Sequence, residues 1–196
     1  MSMITAASRP VAGDQELLAR HAAGDREALE ELFQRYRGVA YRVAFRLLGQ
    51  EADALDAVQD GFVKALTHLS AFEGRSSFKT WLLRVVSNAA LDLGRQRGRR
   101  EIRSLDGLAI GETEFPLIFV DPAHSLERAD LRHLIREALF SLSEAQRQTF
   151  ILHADGGLSY REVAEALAIS VGTVMSRLFY ARQKLRAYSA QRIEQP

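Results

Sequence analysis

Two helix patterns joined by a short turn occupy residues 157–186, which read GLSYREVAEALAISVGTVMSRLFYARQKLR. Ser159 with Glu162 three positions later fits a capping box, so a helix is predicted to start at Ser159. A tight turn is predicted at Ala168–Ser170, and Ser170 can cap the helix that follows. That second helix has an apolar face formed by Val174, Leu178, Ala181 and Leu185. The pattern predicts a helix-turn-helix.

A helix held by its apolar face leaves its other face free to enter a major groove. Small polar side chains near the helix start can approach base edges, while basic residues can contact phosphates. A plain helical hairpin with a solvated, charged face would have the same pattern, and this segment alone leaves both interpretations open. The outward positions are Gly172, Ser176, Phe179, Tyr180 and Gln183, flanked by Thr173, Arg177, Lys184, Met175, Arg182 and Arg186.

Aromatic and basic residues stand together in Phe72–Arg103. Phe72, Phe78 and Trp81 precede a run of arginines, a combination that suits single-stranded DNA because bases stack on rings while cations follow the backbone. A small polar loop, 72–77, precedes the predicted helix 77–96 and could hold an extruded base. The same sequence would also result if the aromatic residues belonged to the core and the arginines formed a solvated helix end, and this segment alone leaves both interpretations open.

A further helix is predicted over Asp53–Leu69. Its apolar residues recur at helical spacing and are expected to form the buried face. Acids lie on the opposite side, where a merely solvated surface is the simpler interpretation. The predicted buried residues are Leu55, Val58, Phe62, Leu66 and Leu69, and the opposite ones are Asp53, Asp56, Asp60 and Lys64.

Composition indicates two globular helical parts and a connecting segment. Apolar residues make up 47% of the 196 residues, and there is no cysteine, which excludes disulfides and thiolate metal sites. Residues 1–100, 101–127 and 128–196 carry net charges of +3, −5 and +3. The acidic stretch also holds prolines and the apolar run Phe115–Val120, and it is interpreted as a linker.

No pattern for catalysis, metal binding or membrane insertion is found. The histidines do not cluster with carboxylates, and no nucleophile elbow or phosphate-binding glycine loop occurs. No signal peptide is predicted, and no apolar run approaches the roughly 20 residues that span a bilayer. The expectation is a protein without cofactor or metal that is not an enzyme.

Three strings in order resemble the extracytoplasmic-function (ECF) sigma factors of bacterial RNA polymerase. They are ALDAVQDGF at 54–62, FEGRSSFKTWL at 72–82, and GLSYREVA at 157–164 followed by SVGTV at 170–174. The resemblance extends over about residues 14–187. It implies an all-α fold of two small helical domains, region 2 at 14–98 and region 4 at 128–190. A flexible acidic linker at 99–127 joins them, with tails at 1–13 and 191–196.

The resemblance also implies roles for individual residues. Region 2 would bind the clamp helices of the largest polymerase subunit through Asp56, Gln59 and Asp60, which favours a functional role for the acidic face. Region 4 would lie on the polymerase flap and read the −35 element through Ser170, Thr173, Ser176, Arg177, Tyr180 and Lys184. The −10 element would be captured by Phe72, Gly74, Ser76, Ser77, Lys79, Trp81, Asn88, Asp92 and Arg95.

The implied function is promoter-specific initiation of transcription in the cytoplasm, controlled by an anti-sigma factor. Two alternatives stay open: a sigma-like decoy that binds an anti-sigma factor, and a stand-alone helix-turn-helix regulator. The chain departs from the family pattern at four positions, one of which is Gly61, where a larger residue is common and glycine costs some helix stability. Leu55 stands where an acid is frequent, and Met175 and Tyr180 stand where cations are frequent. Fewer cations on the reading helix should weaken phosphate contacts and lower the salt dependence of binding.

Overall fold

The computed structural model describes residues 12–103 and 125–193. Within these two ranges the chain forms eight α-helices and one short 3-10 helix, with no β-strand, so the predicted all-α fold is confirmed. The α-helices are α1 (Asp14–Ala22), α2 (Arg26–Leu48), α3 (Glu51–Thr67), α4 (Phe78–Arg103), α5 (Ser125–Phe140), α6 (Glu144–Ala154), α7 (Tyr160–Leu167) and α8 (Val171–Ile193). The 3-10 helix is Leu69–Ala71.

The chain divides into two compact units, the first ending at Gly38 and the second starting at Val39. In the first unit, the Asp14 carboxylate accepts hydrogen bonds from Arg35 Nη1 at 2.7 Å and from the Tyr36 hydroxyl. Burial of the Tyr36 ring is the main reason that the pKa of its hydroxyl is raised. Leu17 of α1 is fully buried in this unit.

Helix α4 lies at the centre of the second unit because it has two buried faces. One face packs against α3, and another packs against α7. These two faces need apolar or small side chains, and they are formed by the first half of the helix. The buried residues of α4 are Phe78, Thr80, Leu82, Leu83, Val86, Ser87, Ala89, Ala90 and Leu91.

The face that α3 turns towards α4 consists of small residues, and the prediction for this face was partly wrong. Leu55 and Leu66, expected to be buried, are 48% and 45% exposed. A Cβ atom added at Gly61 would lie 2.9 Å from Val86 Cγ2 and 3.0 Å from Val86 Cα, so the two backbones approach closely. Large side chains do not fit between helices this close. The buried residues of α3 are Ala54, Ala57, Val58, Gly61 and Ala65.

Local sequence signals set several helix ends as predicted. Gly49 follows the last residue of α2 with a φ of 73°. Ser143 with Gln146 and Ser159 with Glu162 both form complete capping boxes, at the starts of α6 and α7. These motifs satisfy backbone N–H groups that a helix start leaves unpaired.

Helix α4 continues to Arg103 and α5 begins at Ser125, so both helices extend into the predicted linker, 99–127. The rest of that linker, with the run Phe115–Val120, lies outside the described residues, as do positions 1–11 and 194–196. No single described helix combines the length and apolar composition needed to cross a membrane. Only α7 and α8 taken together do so, and they are bent by 105° at their junction.

Gly61→Ala is expected to destabilise the protein by about 1–3 kcal/mol, because the added methyl group meets the Val86 backbone. Gly98→Ala is the matched control: it is also inside a helix, but nothing lies within 4 Å of its Cβ position. Alanine's better helix propensity should then stabilise by roughly 0.5–1 kcal/mol. Urea unfolding of the two variants measures both effects. Equal effects of the two substitutions would contradict the proposed close packing.

Candidate nucleic-acid interface

Helices α7 and α8 form the predicted helix-turn-helix. The turn between them contains Ala168, a non-glycine residue with a φ of 53°, in the left-handed region. Val163 of α7 and Val174, Leu178 and Ala181 of α8 are buried, which fixes the second helix by its inner face. The predicted core face of α8 is confirmed for these three residues.

The outer face of α8 is exposed and largely apolar. Met175 and Phe179 are 56% and 63% exposed, and Val171 and Tyr180 are exposed as well. The rings of Phe179 and Tyr180 contact each other edge to face, with centroids 5.4 Å apart. Ser176 lies between these residues and is also exposed. The helix therefore presents apolar groups together with a small polar one to an approaching ligand.

Three of the predicted −35 residues already have partners within the helix-turn-helix domain. Ser170 Oγ accepts a hydrogen bond from the Thr173 N–H at 3.0 Å and pairs with the Thr173 hydroxyl at 2.9 Å, so Ser170 caps α8. Lys184 Nζ donates to the carbonyl oxygen of Ser141 at 2.9 Å. Arg177 is half-buried on the flank of the helix.

The predicted −10 loop, residues 72–77, is exposed and anchored at both ends. The Phe72 ring lies 5.9 Å from that of Phe78 and 5.3 Å from that of Trp81, between centroids. At the other end, Ser77 Oγ accepts a hydrogen bond from the Thr80 N–H at 3.1 Å and so caps α4. Gly74 has a φ of 69°, and nothing lies within 4 Å of its Cβ position.

The aromatic cluster divides into a structural and an accessible part. Phe78 is buried in the core, so the simpler interpretation holds for this ring. Phe72 and Trp81 are half-buried and border the exposed loop. Of the three rings, these two are accessible from the loop.

Predicted −10 residues on α4 contact α6 and the turn between α6 and α7. Lys79 Nζ donates to the carbonyl oxygen of Gly157 at 3.4 Å, and Arg95 Nη1 donates to Glu144 Oε1 at 2.6 Å. Asn88 Oδ1 accepts from Gln148 Nε2 at 3.1 Å. Asp92 pairs with the other end of the Arg95 guanidinium at 2.6 Å.

Hydrogen bonds shift the pKa values of two charged groups along this contact. The hydrogen bond to Asp92 is the main reason that the pKa of the Arg95 guanidinium is raised. The backbone N–H of Ser159, followed by its hydroxyl, lowers the pKa of Glu162. Thr80 Oγ1 also donates to Glu162 Oε1 at 3.3 Å. Both groups are therefore charged at neutral pH, and the contact is polar.

The predicted polymerase-binding face of α3 combines acids with apolar groups. Asp56, Gln59 and Asp60 are exposed, and Asp60 pairs with Lys64 at 2.7 Å. Leu55, Val63 and Leu66 are exposed on the same helix. Asp53, in contrast, pairs with Arg97 of α4 and has a structural role.

Comparison with known proteins identifies both halves of the chain. The family model for Sigma-70 region 2 matches residues 32–100, and that for Sigma-70, region 4 matches residues 132–185. The ECF RNA polymerase sigma-E factor of Haemophilus influenzae is 32% identical over 177 residues, which are 88% of this chain and 93% of that protein. The chain belongs to the ECF sigma factors. Sigma factors are transcription initiation factors that bind core RNA polymerase and promoter DNA.

Other relatives agree with this assignment. The ECF RNA polymerase sigma-E factor of Escherichia coli K12 is 34% identical over 88% of this chain and 92% of its own length. Among solved structures, CnrH in complex with the cytosolic domain of CnrY is similar, with a TM-score of 0.68 and 29% identity. That alignment covers 91% of this chain and 97% of CnrH. The sigma factor RpoE in complex with the anti-sigma factor NepR, from Bartonella quintana, has a TM-score of 0.62 and 29% identity over 82% and 98% of the two chains.

Sequence reasoning missed two groups of residues at this sigma factor's surfaces. Two exposed residues of α3, Leu55 and Leu66, were assigned to the core, although the small residues at 54, 57, 61 and 65 indicated the true packing face. The second group, Glu144, Gln148 and Glu162, binds α4 from region 4. Capping boxes explained Glu162 locally, and no sequence signal pointed to these distant contacts.

Ala168→Gly is expected to stabilise region 4 by about 1 kcal/mol, because glycine adopts the left-handed conformation without the Cβ penalty. Ala187→Gly, at an exposed position inside α8, is the control and should destabilise by roughly 1 kcal/mol. Denaturant unfolding of both variants tests the expectation. Loss of stability at both positions would contradict a strained turn.

Proposed function

We propose that this sigma factor binds its partners through three surfaces. The face of α3 with acids and apolar residues binds core polymerase. The loop 72–77 with α4 binds the −10 element, and the outer face of α8 binds the −35 element. The observation that carries the proposal is the helix-turn-helix whose second helix is buried on one side and exposed on the other. We keep the predicted domain limits, 14–98 and 128–190, for the two DNA-binding parts.

The α3 face supports binding to a helical partner surface. Large apolar side chains that remain exposed next to acids are typical of interaction sites. Leu55, Val63 and Leu66 would be covered by the clamp helices of the largest polymerase subunit, and Asp56 and Asp60 would pair with cations at the rim. Leu55 therefore replaces a charge contact by an apolar one at this position. Region 4 would lie on the polymerase flap.

The exposed loop 72–77 of region 2 is suited to binding an unstacked base. Its anchored ends keep Gly74, Ser76 and Ser77 in one place, so that a base can be bound without first ordering the loop. Phe72 and Trp81 offer ring surface beside it, and Asn88, with the α4 cations, would position the adjoining duplex. Binding energy then drives strand opening, and the chain itself makes or breaks no bond.

Control by an anti-sigma factor in the cytoplasm completes the proposal. Both solved neighbours named above are complexes, one of them with a protein described as an anti-sigma factor. An anti-sigma factor that covered the α3 face would exclude core polymerase. A ligand that competes for these surfaces lowers activity by mass action.

Run-off transcription with purified core polymerase tests the function, on a promoter selected from a random library by the holoenzyme. We expect a promoter-specific transcript. Asn88→Ala should reduce open-complex formation about tenfold, and Arg177→Ala should weaken −35 binding by a similar factor. Core binding should stay unchanged in both variants, measured by co-purification with polymerase.

Two results would contradict these roles. Binding to DNA that does not need core polymerase, with no specific transcript, indicates a stand-alone regulator, and absence of both signals indicates a decoy. If Asn88→Ala and Arg177→Ala lose core binding but keep promoter affinity, the assignment of these residues is wrong.

A separate prediction concerns salt. Met175→Arg or Tyr180→Arg should each add one phosphate contact, so that the slope of log K against log salt becomes steeper by about 0.9 per substitution. Holoenzyme affinity for a promoter fragment at several salt concentrations gives this slope. Ala190→Arg adds the same charge near the far end of α8 and should change the slope little. Equal slopes for all three variants would place the outer face of α8 away from DNA.

A further inference from the structure

Three exposed apolar side chains form one line along the outer face of α8. Val171, Met175 and Phe179 follow one another at intervals of four residues, so they lie on the same side of the helix, one turn apart. All three are exposed. We call these three residues the apolar stripe. The Tyr180 ring contacts the Phe179 ring edge to face and widens the stripe at its far end.

The charge of α8 favours a polyanion as the occupant of this face. Residues 171–191 of the helix include no aspartate and no glutamate. Sigma factors bind promoter DNA, and a helix that carries only positive charge is suited to lie against phosphates. We therefore take duplex DNA, and not a second protein, as the ligand of the stripe. The cations in this range are Arg177, Arg182, Lys184 and Arg186.

The stripe has the length of a base-reading surface. Its first and last residues are eight positions apart, which is about 12 Å along a helix that rises about 1.5 Å per residue. Base pairs in B-form DNA follow one another at about 3.4 Å, so this length corresponds to roughly three or four of them. The major groove admits an α-helix, and the helix start, where Val171 and Met175 lie, is the part that contacts base edges in helix-turn-helix proteins.

Several polar groups next to the stripe are engaged within the helix-turn-helix domain. The Thr173 hydroxyl pairs with that of the capping serine at 2.9 Å. Lys184 Nζ donates to a backbone carbonyl oxygen at 2.9 Å, and the Arg182 guanidinium donates to the Tyr160 hydroxyl at 3.4 Å. The exposed surface near the helix start is therefore mainly apolar, with the Ser176 hydroxyl beside it.

One feature of the bases suits an apolar reading surface. In the major groove all bases present hydrogen-bonding groups, whereas thymine alone also presents a methyl group at C5. Apolar side chains recognise this methyl group by covering it and excluding water. Positions 175 and 180, where cations are frequent in the family, hold Met and Tyr here. Cations are suited to the acceptor atoms of guanine, so their replacement shifts the expected preference from guanine towards thymine.

We propose that this chain recognises thymine in its −35 element through the C5 methyl group, with Val171, Met175 and Phe179 as specificity-determining residues. The inference rests on the proposed function of the outer face of α8, and it names the base chemistry that this face recognises. Each thymine methyl group that the stripe covers should raise the affinity about fourfold, which corresponds to the burial of one methyl-sized group.

The first test removes single methyl groups from the DNA. In the −35 element selected by the holoenzyme, deoxyuridine replaces thymidine on either strand, one position at a time, which leaves base pairing unchanged. We expect holoenzyme binding to weaken about fourfold at one or more of these positions. Deoxyuridine at thymines of the spacer between the two promoter elements is the control and should leave the affinity unchanged.

The same test also runs in the opposite direction. After a sensitive thymine is changed to cytosine, the binding of that DNA is compared with the binding of DNA that carries 5-methylcytosine at the same position. The two differ only in the methyl group at C5. The methylated DNA should bind about fourfold more tightly.

The second test assigns the methyl contacts to the stripe. Met175→Ala and Phe179→Ala should each remove the difference between thymine and deoxyuridine at the position that the residue contacts. Leu131→Ala is the matched control, because it shortens an apolar side chain of α5 that is similarly exposed, at 55%, and lies outside the helix-turn-helix. This variant should keep the full difference. Because the ratio of affinities is taken within each variant, general changes in core or DNA binding cancel.

Two results would overturn the proposal. One is a −35 element without a thymine that responds to the loss of its methyl group. The other is a response that stays at full size in both the Met175→Ala and the Phe179→Ala variants, with circular dichroism verifying that they are folded. Failure of the proposed function is distinguishable, because the unchanged holoenzyme would then give no promoter-specific transcript. If that transcript forms while deoxyuridine has no effect, only the methyl recognition is wrong.

Discussion

The close packing of α3 on α4 is the constraint on which the other surfaces depend. Gly61 lets the two backbones approach until a single added carbon would meet Val86. At this distance only small side chains fit between the helices, and the large apolar residues of α3 must point elsewhere. The exposed leucines and valine on that helix are thus a consequence of how the core is built, and they supply an apolar surface for a partner.

A second consequence concerns α4. Since α3 covers one of its faces, the other face is available to region 4, and polar residues are distributed there. The helix therefore packs against α3 through small and apolar residues and contacts region 4 through polar ones. Net contributions of individual hydrogen bonds are small, about 1 kcal/mol each, so a contact made of a few of them can be replaced by another ligand. An apolar contact of similar extent would be much harder to break.

Local patterns in the sequence predicted the fold well and the packing between distant segments poorly. Capping boxes, the glycine after α2 and the apolar face of α8 depend on neighbours a few residues away, and the structure has them as expected. The prediction for α3 was partly wrong because it took the helical spacing of large apolar side chains as the mark of the buried face. In the structure, small residues on the adjacent side of the helix form that face. Contacts such as Asn88 with Gln148 join residues 60 positions apart and are chemically unremarkable in either segment. The roles proposed for residues of α4 and α8 in DNA binding were implied by the family resemblance, since the sequence patterns alone fit a solvated surface equally well.

The carboxylate of Glu162 accepts hydrogen bonds from two different parts of the chain. Its Oε2 accepts from the N–H of Ser159 at 2.8 Å and closes the first turn of α7, while Oε1 faces the hydroxyl of Thr80. Because each carboxylate oxygen has its own donor, the capping hydrogen bond does not depend on the contact with Thr80. The start of α7 is therefore determined within region 4 itself, by two residues three positions apart in the sequence.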